Sequence, residues 1–209
     1  MTGKLIAFEG IDGVGKTTQI RLAADELRRT GYDVITTYEP WVASIDPDDP
    51  PGVVACKIAV DRYDHVRKVI VPQLNRGGIV LCDRFTMSTL AYQGYAGGVQ
   101  LSTLHRLNEI AINDLVSVAM HIWFYCDPLV AKRRIDSRPP YVVNGEEVYE
   151  TLDDEGLAYL RRAHHGYWQM FTIDKCKEPT AMVDANGTVD EVHAAVMATI
   201  RHTLAAEPF

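Results

Sequence analysis

The run Gly10-Ile11-Asp12-Gly13-Val14-Gly15-Lys16-Thr17 fits the spacing G-x-x-x-x-G-K-[ST]. Its glycines let the backbone fold tightly, so that successive N–H groups converge on one anion. A helix starting at this point adds its positive end. The chemistry such a cradle serves is the binding of a triphosphate. Gly10, Gly13, Val14, Gly15 and Thr18 are expected to line it. Lys16 is expected to reach the β- and γ-phosphates, and the Thr17 hydroxyl to coordinate Mg2+. A glycine-rich turn that matches by chance is the alternative, but the apolar run before it and the helical pattern after it both agree with the motif.

A second group of chemically useful residues is Val80-Leu81-Cys82-Asp83-Arg84. An acid ending a buried strand is the expected place for the carboxylate that serves the metal shell. Asp83 can equally cap the helix that follows, and the two roles are compatible. Arg84 offers a planar fork that suits phosphate oxygens.

These residues need elements to hold them. Leu5–Phe8 reads as a buried parallel strand, and Lys16–Arg29 as a helix with Ile20, Ala23, Ala24 and Leu27 on one face. Gly31 ends that helix, and 33–37 is a second strand. Residues 39–52 are rich in proline and aspartate and read as loop. A helix is expected over 53–74, a third strand over 79–82, a short helix from Thr86 and a longer one over 102–118. The fourth strand is 121–125, in which His121, Trp123 and Tyr125 alternate as packing residues. Pro128 opens a helix, 153–171 is helical, 181–183 is a fifth strand, and Thr188 with Glu191 makes a capping box for a last helix. His164 and His165 are adjacent on a helix and face apart, a poor metal pair. Strands alternating with helices predict an α/β fold of three layers, a five-stranded parallel sheet flanked by helices. Nothing divides residues 1–209 into two domains. Residues 137–150, with two prolines and an Asn-Gly, read as a mobile lid.

The bulk properties narrow the partners. With 209 residues and 47% hydrophobic content, the chain can bury a sizeable core without disulfides. A net charge of -7 argues against a nucleic-acid polymer as partner. No apolar stretch is long enough to span a membrane, and the N-terminus lacks a signal-peptide layout, so the cytoplasm is the expected location. The four cysteines follow no metal-ligand spacing.

Over nearly its whole length the sequence resembles the thymidylate kinases, P-loop nucleoside monophosphate kinases that phosphorylate dTMP with ATP. The resemblance rests on Phe8–Gly13, on Glu39-Pro40, on Asp61-Arg62, on Asp83-Arg84-Phe85, on Ser88 to Gly94 and on Asp184-Ala185. It implies that Asp12 accepts from the sugar hydroxyl or orients the monophosphate. It implies that Arg62 and Arg84 bind the acceptor nucleotide, that Thr89 meets the pyrimidine edge, and that Tyr92 packs under the sugar. Ser88 and Gln93 would line the same pocket, Glu39 would sit near the sugar or a metal-bound water, and Ala185 near the adenine. It also implies a homodimer. The phosphate loop holds no arginine, so Arg133 and Arg138 beside the lid are the expected catalytic cations.

Three departures from the family pattern fall on the acceptor side. Ile58 stands where an aromatic residue is usual, Tyr38 where an arginine is usual, and Val148 replaces an arginine between Glu147 and Tyr149. Tyr149 is still expected at the substrate. The reading is a deoxypyrimidine monophosphate kinase acting on dTMP. Its rivals are a kinase for a 5-substituted dUMP or another nucleotide, and an ATPase switch that binds a protein partner.

Overall fold

The computed structural model describes residues 3–143, 146–148, 150–174 and 178–206. The chain order is β1 (Lys4–Glu9), α1 (Lys16–Arg29), β2 (Val34–Tyr38), α2 (Pro51–His65), α3 (Val71–Asn75), β3 (Ile79–Asp83), α4 (Thr86–Thr89), α5 (Leu101–Ile112), β4 (Val118–Tyr125), α6 (Pro128–Asp136), β5 (Tyr141–Val143), β6 (Glu146–Val148), α7 (Asp154–Trp168), β7 (Thr180–Asp184) and α8 (Val189–Ala205). The main sheet has the order β2-β3-β1-β4-β7 and every pair in it is parallel. The expected three-layer fold is therefore the observed one.

The central strands β1, β3 and β4 are buried on both faces, as expected in an all-parallel sheet. Ile6, Phe8, Leu81 and Phe124 belong to one cluster with Ile20, Ala23 and Leu27 of α1 and Val196 and Ile200 of α8. Leu5, Ala7, Val80 and Cys82 pack with Val66, Ile70, Leu74 and Phe85. Trp123 and Tyr125 pack on α7, with Trp123 stacked on Tyr167 and edge-on to Tyr125. The capping box at Thr188 and Glu191 is formed.

The sequence reading fails at one helix end. The helix expected to reach Val118 stops at Ile112, and Val118 opens β4 instead. Asn113 and Asp114 both take left-handed φ values, 47° and 55°, which no α-helix continues through. Within residues 137–150, the stretch read as a lid, β5 and β6 pair antiparallel. Three π-helical segments, Val66–Ile70, Leu90–Ala96 and Gln169–Ile173, extend α-helices. The middle one carries Tyr92 and Gln93, in keeping with the habit of such segments to occur at functional positions.

Candidate active site

The phosphate loop joins β1 to α1 at the carboxyl edge of the sheet. Gly13 and Gly15 have φ values of 82° and 93°, which only glycine adopts without strain. A Cβ at Gly13 would also stand 2.4 Å from the Ala131 carbonyl oxygen of α6. Gly15 is the N-cap of α1 and supplies no capping side chain, so the first-turn N–H groups remain available to an anion. Lys16 is buried, and its ammonium donates to the Gly10 and Ile11 carbonyls at 3.0 Å each. Burial first, and the Arg84 charge second, push its pKa down to about 8. Gly13, Gly15, Lys16, Thr17, Thr18, Asp83, Arg84 and Arg138 line one cavity of about 900 Å³. Val14 is instead a core residue.

The Thr17 hydroxyl donates to Asp83 Oδ2 at 2.5 Å. One hydroxyl and one carboxylate suit Mg2+, a cation that takes most of its shell from water and phosphate oxygens. Among the described residues no group of three or more His, Cys, Asp or Glu side chains could hold a metal. The donor set thus fits magnesium delivered with a polyphosphate.

Arg84 follows β3 with a φ of 71°, a left-handed conformation rare for a side chain of this size. The bend aims its guanidinium back at the loop. One terminal nitrogen donates to Asp12 Oδ1 at 2.5 Å and to the Tyr92 hydroxyl at 3.1 Å, and the other lies 3.4 Å from Gly10 O and from Ser88 Oγ. Burial acts to raise the Asp12 pKa, but Arg84, Lys16 and the Tyr92 hydroxyl outweigh it and hold the carboxyl well below the usual range. Asp12 is therefore an anion under all ordinary conditions.

A second cavity, of about 290 Å³, lies beyond this pair. Ile45, Val54, Ile58 and Phe85 give it apolar walls, and Arg62, Ser88, Thr89, Tyr92 and Gln93 give it polar groups. Asp12, Glu39 and Arg84 line both cavities. Arg62 is all but inaccessible. It donates to Glu39 Oε2 at 2.7 Å, Asn108 Oδ1 at 2.5 Å, Thr89 Oγ1 at 3.0 Å and the Phe85 carbonyl at 3.2 Å. Glu39 also lies 3.0 Å from His65 Nδ1. Asp61 accepts the N–H groups of Trp41, Val42 and Ala43 and so shapes the loop after Glu39.

The flanking residues divide. Arg138 faces the larger cavity and pairs with Glu150 at 2.7 Å. Arg133 is exposed on α6 and lines neither cavity. Ala185 is buried and lines neither, although its carbonyl accepts from Arg134 at 2.8 Å. Tyr149 lies outside the described residues. The sequence did not mark Asn108, and it gave Glu9 and His65 no role of their own. Glu9 left a signal, an acid closing a wholly apolar run just before the first glycine of the motif.

The profile of the family described as "Thymidylate kinase" matches residues 48–196. The chain belongs to the thymidylate kinase family. That matched span begins after the phosphate loop, but full-length relatives include it. The thymidylate kinase of Synechococcus sp. (strain JA-3-3Ab) is 34% identical over 96% of this chain and 97% of its own length. That of Geobacillus sp. (strain WCH70) is 32% identical, with the same coverage. The crystal structure of thymidylate kinase from Ehrlichia chaffeensis shares the fold, with a TM-score of 0.70 and 24% identity over 95% of this chain and 98% of that one.

Proposed function

We propose that the chain transfers the terminal phosphoryl group of ATP to dTMP, forming ADP and dTDP. The observation that carries this reading is the junction of two cavities at Asp12, Glu39 and Arg84, one lined by the phosphate loop and one sized for a nucleobase with its sugar. Family membership supplies the acceptor's identity. The apolar wall that includes Ile58 and Phe85 suits a methylated pyrimidine, and Phe85 provides an aromatic ring in that wall.

In this reading Lys16 and the N–H groups of the loop hold the donor phosphates. Arg84 exchanges its bond to Asp12 for the acceptor phosphate, drawing two anions together for in-line attack. Asp12 and Tyr92 then orient the sugar, and Thr89 with Gln93 meets the base edge. An acceptor phosphate is already an anion at neutral pH, so no protein base is required. Thr17 and Asp83 would hold Mg2+, which would supply charge neutralisation on the polyphosphate when bound. Arg138 completes the charge cage from the lid at 137–150, and Arg133, on α6 before it, would enter the site only if α6 itself moved. We read residues 1–209 as one domain that works in the cytoplasm as a homodimer. The exposed apolar side chains Val60 and Tyr63 of α2 and Ile110 of α5 support that pairing surface.

Steady-state turnover of dTMP, dUMP, dCMP, dAMP and dGMP with ATP tests the assignment. dTMP is expected to have the highest kcat/KM. Preference for dGMP or dAMP would sink it.

A further inference from the structure

Helix α2 carries two neighbouring stripes of side chains with different tasks. Val54, Ile58 and Arg62, spaced at i, i+4 and i+8, line the smaller cavity. Lys57, Asp61 and His65, at the same spacing, turn instead to the loop between β2 and α2. The Lys57 ammonium lies 2.5 Å from Asp49 Oδ2. Asp61 accepts the Trp41 N–H at 2.5 Å on one oxygen, and the Val42 and Ala43 N–H groups at 2.9 Å each on the other. The His65 ring stacks on the Trp41 indole with centroids 5.5 Å apart, and its nitrogens meet Thr37 Oγ1 at 2.7 Å and Glu39 Oε1 at 3.0 Å.

Residues 41–43 lie in no strand or helix, so their N–H groups have no ladder to join. All three converge on a carboxylate that is buried. The donors replace the water that the charge has lost, and charge-assisted bonds of this kind are strong. The Lys57 pair is partly exposed and holds less, so Asp61 carries most of the attachment. Further along, residues 46–49 close on themselves. The Asp49 N–H donates to the Asp46 carbonyl at 3.0 Å, and the Asp46 N–H to Asp49 Oδ2 at 3.1 Å. Between these two fixed stretches stands Ile45, which lines the smaller cavity together with Val54 and Ile58. The apolar wall thus has two sources, a helix and a loop, and the same helix fastens the loop.

We propose that residues 41–49 form a fixed wall of the acceptor site, with Ile45 as its apolar contact to the nucleoside and Asp61 as the positioning residue that holds it. The contact with the nucleoside rests on the kinase reading; the fastening of the loop does not.

Two measurements test this. Amide hydrogen exchange of the free protein, read residue by residue by NMR, should find Trp41, Val42 and Ala43 slowed at least about tenfold relative to an open loop. Asp61→Ala should release these amides while those of β1 and α1 keep their wild-type rates. Unprotected amides at 41–43 in the wild type would overturn the proposal. In kinetics, Asp61→Ala and Ile45→Ala should each raise KM for dTMP about tenfold and leave KM for ATP within about twofold, the first by losing charged hydrogen bonds and the second by losing apolar contact. A purely structural Asp61 predicts a lower thermal midpoint with KM for dTMP unchanged. An unchanged KM in Ile45→Ala means that the wall does not touch the nucleotide. Either result overturns the proposal. If Asp61→Ala does not fold, exchange in the wild type and KM of Ile45→Ala decide. A wild type that does not phosphorylate dTMP defeats the kinase reading and leaves the exchange result standing.

Discussion

At the scale of single residues, Lys16 shows how a fold stores charge for a ligand. Its ammonium is out of water and close to Arg84, so the protonated form is disfavoured until a polyphosphate arrives. Lys16→Ala removes a cation aimed at developing negative charge and should lower kcat by roughly a hundredfold or more, without lowering the thermal midpoint. The pH dependence follows from the sign of the shift. In the free enzyme Lys16 loses its proton near pH 8, so kcat/KM for ATP should fall above about pH 8. Bound phosphate favours the charged form, so the corresponding limb of kcat should lie higher. For stability the sign is opposite to that of a lysine gaining a partner. Between about 8 and 10.5 the unfolded chain binds more protons than the folded one, so this group adds stability as pH rises through that window. A pH profile of kcat/KM that stays flat through pH 8 to 9 would mean that Lys16 keeps its proton in the free enzyme.

At the scale of elements, the phosphate loop was legible because its spacing is a local code that states its own geometry. Strand, loop and first helix came out nearly residue for residue, from Leu5 to Arg29. The end of α5 was not legible. Val116 and Val118 continue an apolar pattern, and nothing local says that Asn113 and Asp114 turn left-handed. The close fit of the loop to α6 was likewise hidden, since Gly13 and Ala131 are far apart in sequence. It has a measurable consequence. Gly13→Ala adds a Cβ at φ 82° and at 2.4 Å from a backbone oxygen, with no flexible side chain to yield. Urea unfolding should show a loss of roughly 2 kcal/mol or more, from the left-handed penalty and the overpacking together. Activity should fall with it, because the N–H groups of the cradle move when the loop does. Wild-type stability in this variant would mean that α6 and the loop can separate freely.

At the scale of the whole molecule, the smaller cavity, proposed for the acceptor, is held by side chains brought together from four distant stretches. Arg62 of α2, Glu39 after β2, Thr89 of α4 and Asn108 of α5 form one buried network. The sequence marks Glu39, Arg62 and Thr89 individually through family resemblance. It does not say that they bond to one another, because that depends on how α2 packs against α5. Their burial makes the network costly to break at one point. Arg62→Met leaves the Glu39 carboxylate in an apolar setting with only His65 beside it, a loss of about 3–5 kcal/mol. Glu39→Gln leaves the guanidinium short of its anion, with a loss of similar size. The double variant removes both charges, so its loss should fall short of the sum of the single losses by more than about 1 kcal/mol. A double-mutant cycle in urea measures this directly. Strict additivity would mean that the two side chains share a cavity wall without sharing charge, and the pocket would then owe its shape to packing alone. Coupling instead makes the wall of the smaller cavity part of the folding core, so that a substitution at Arg62 that alters this cavity must also weaken the fold.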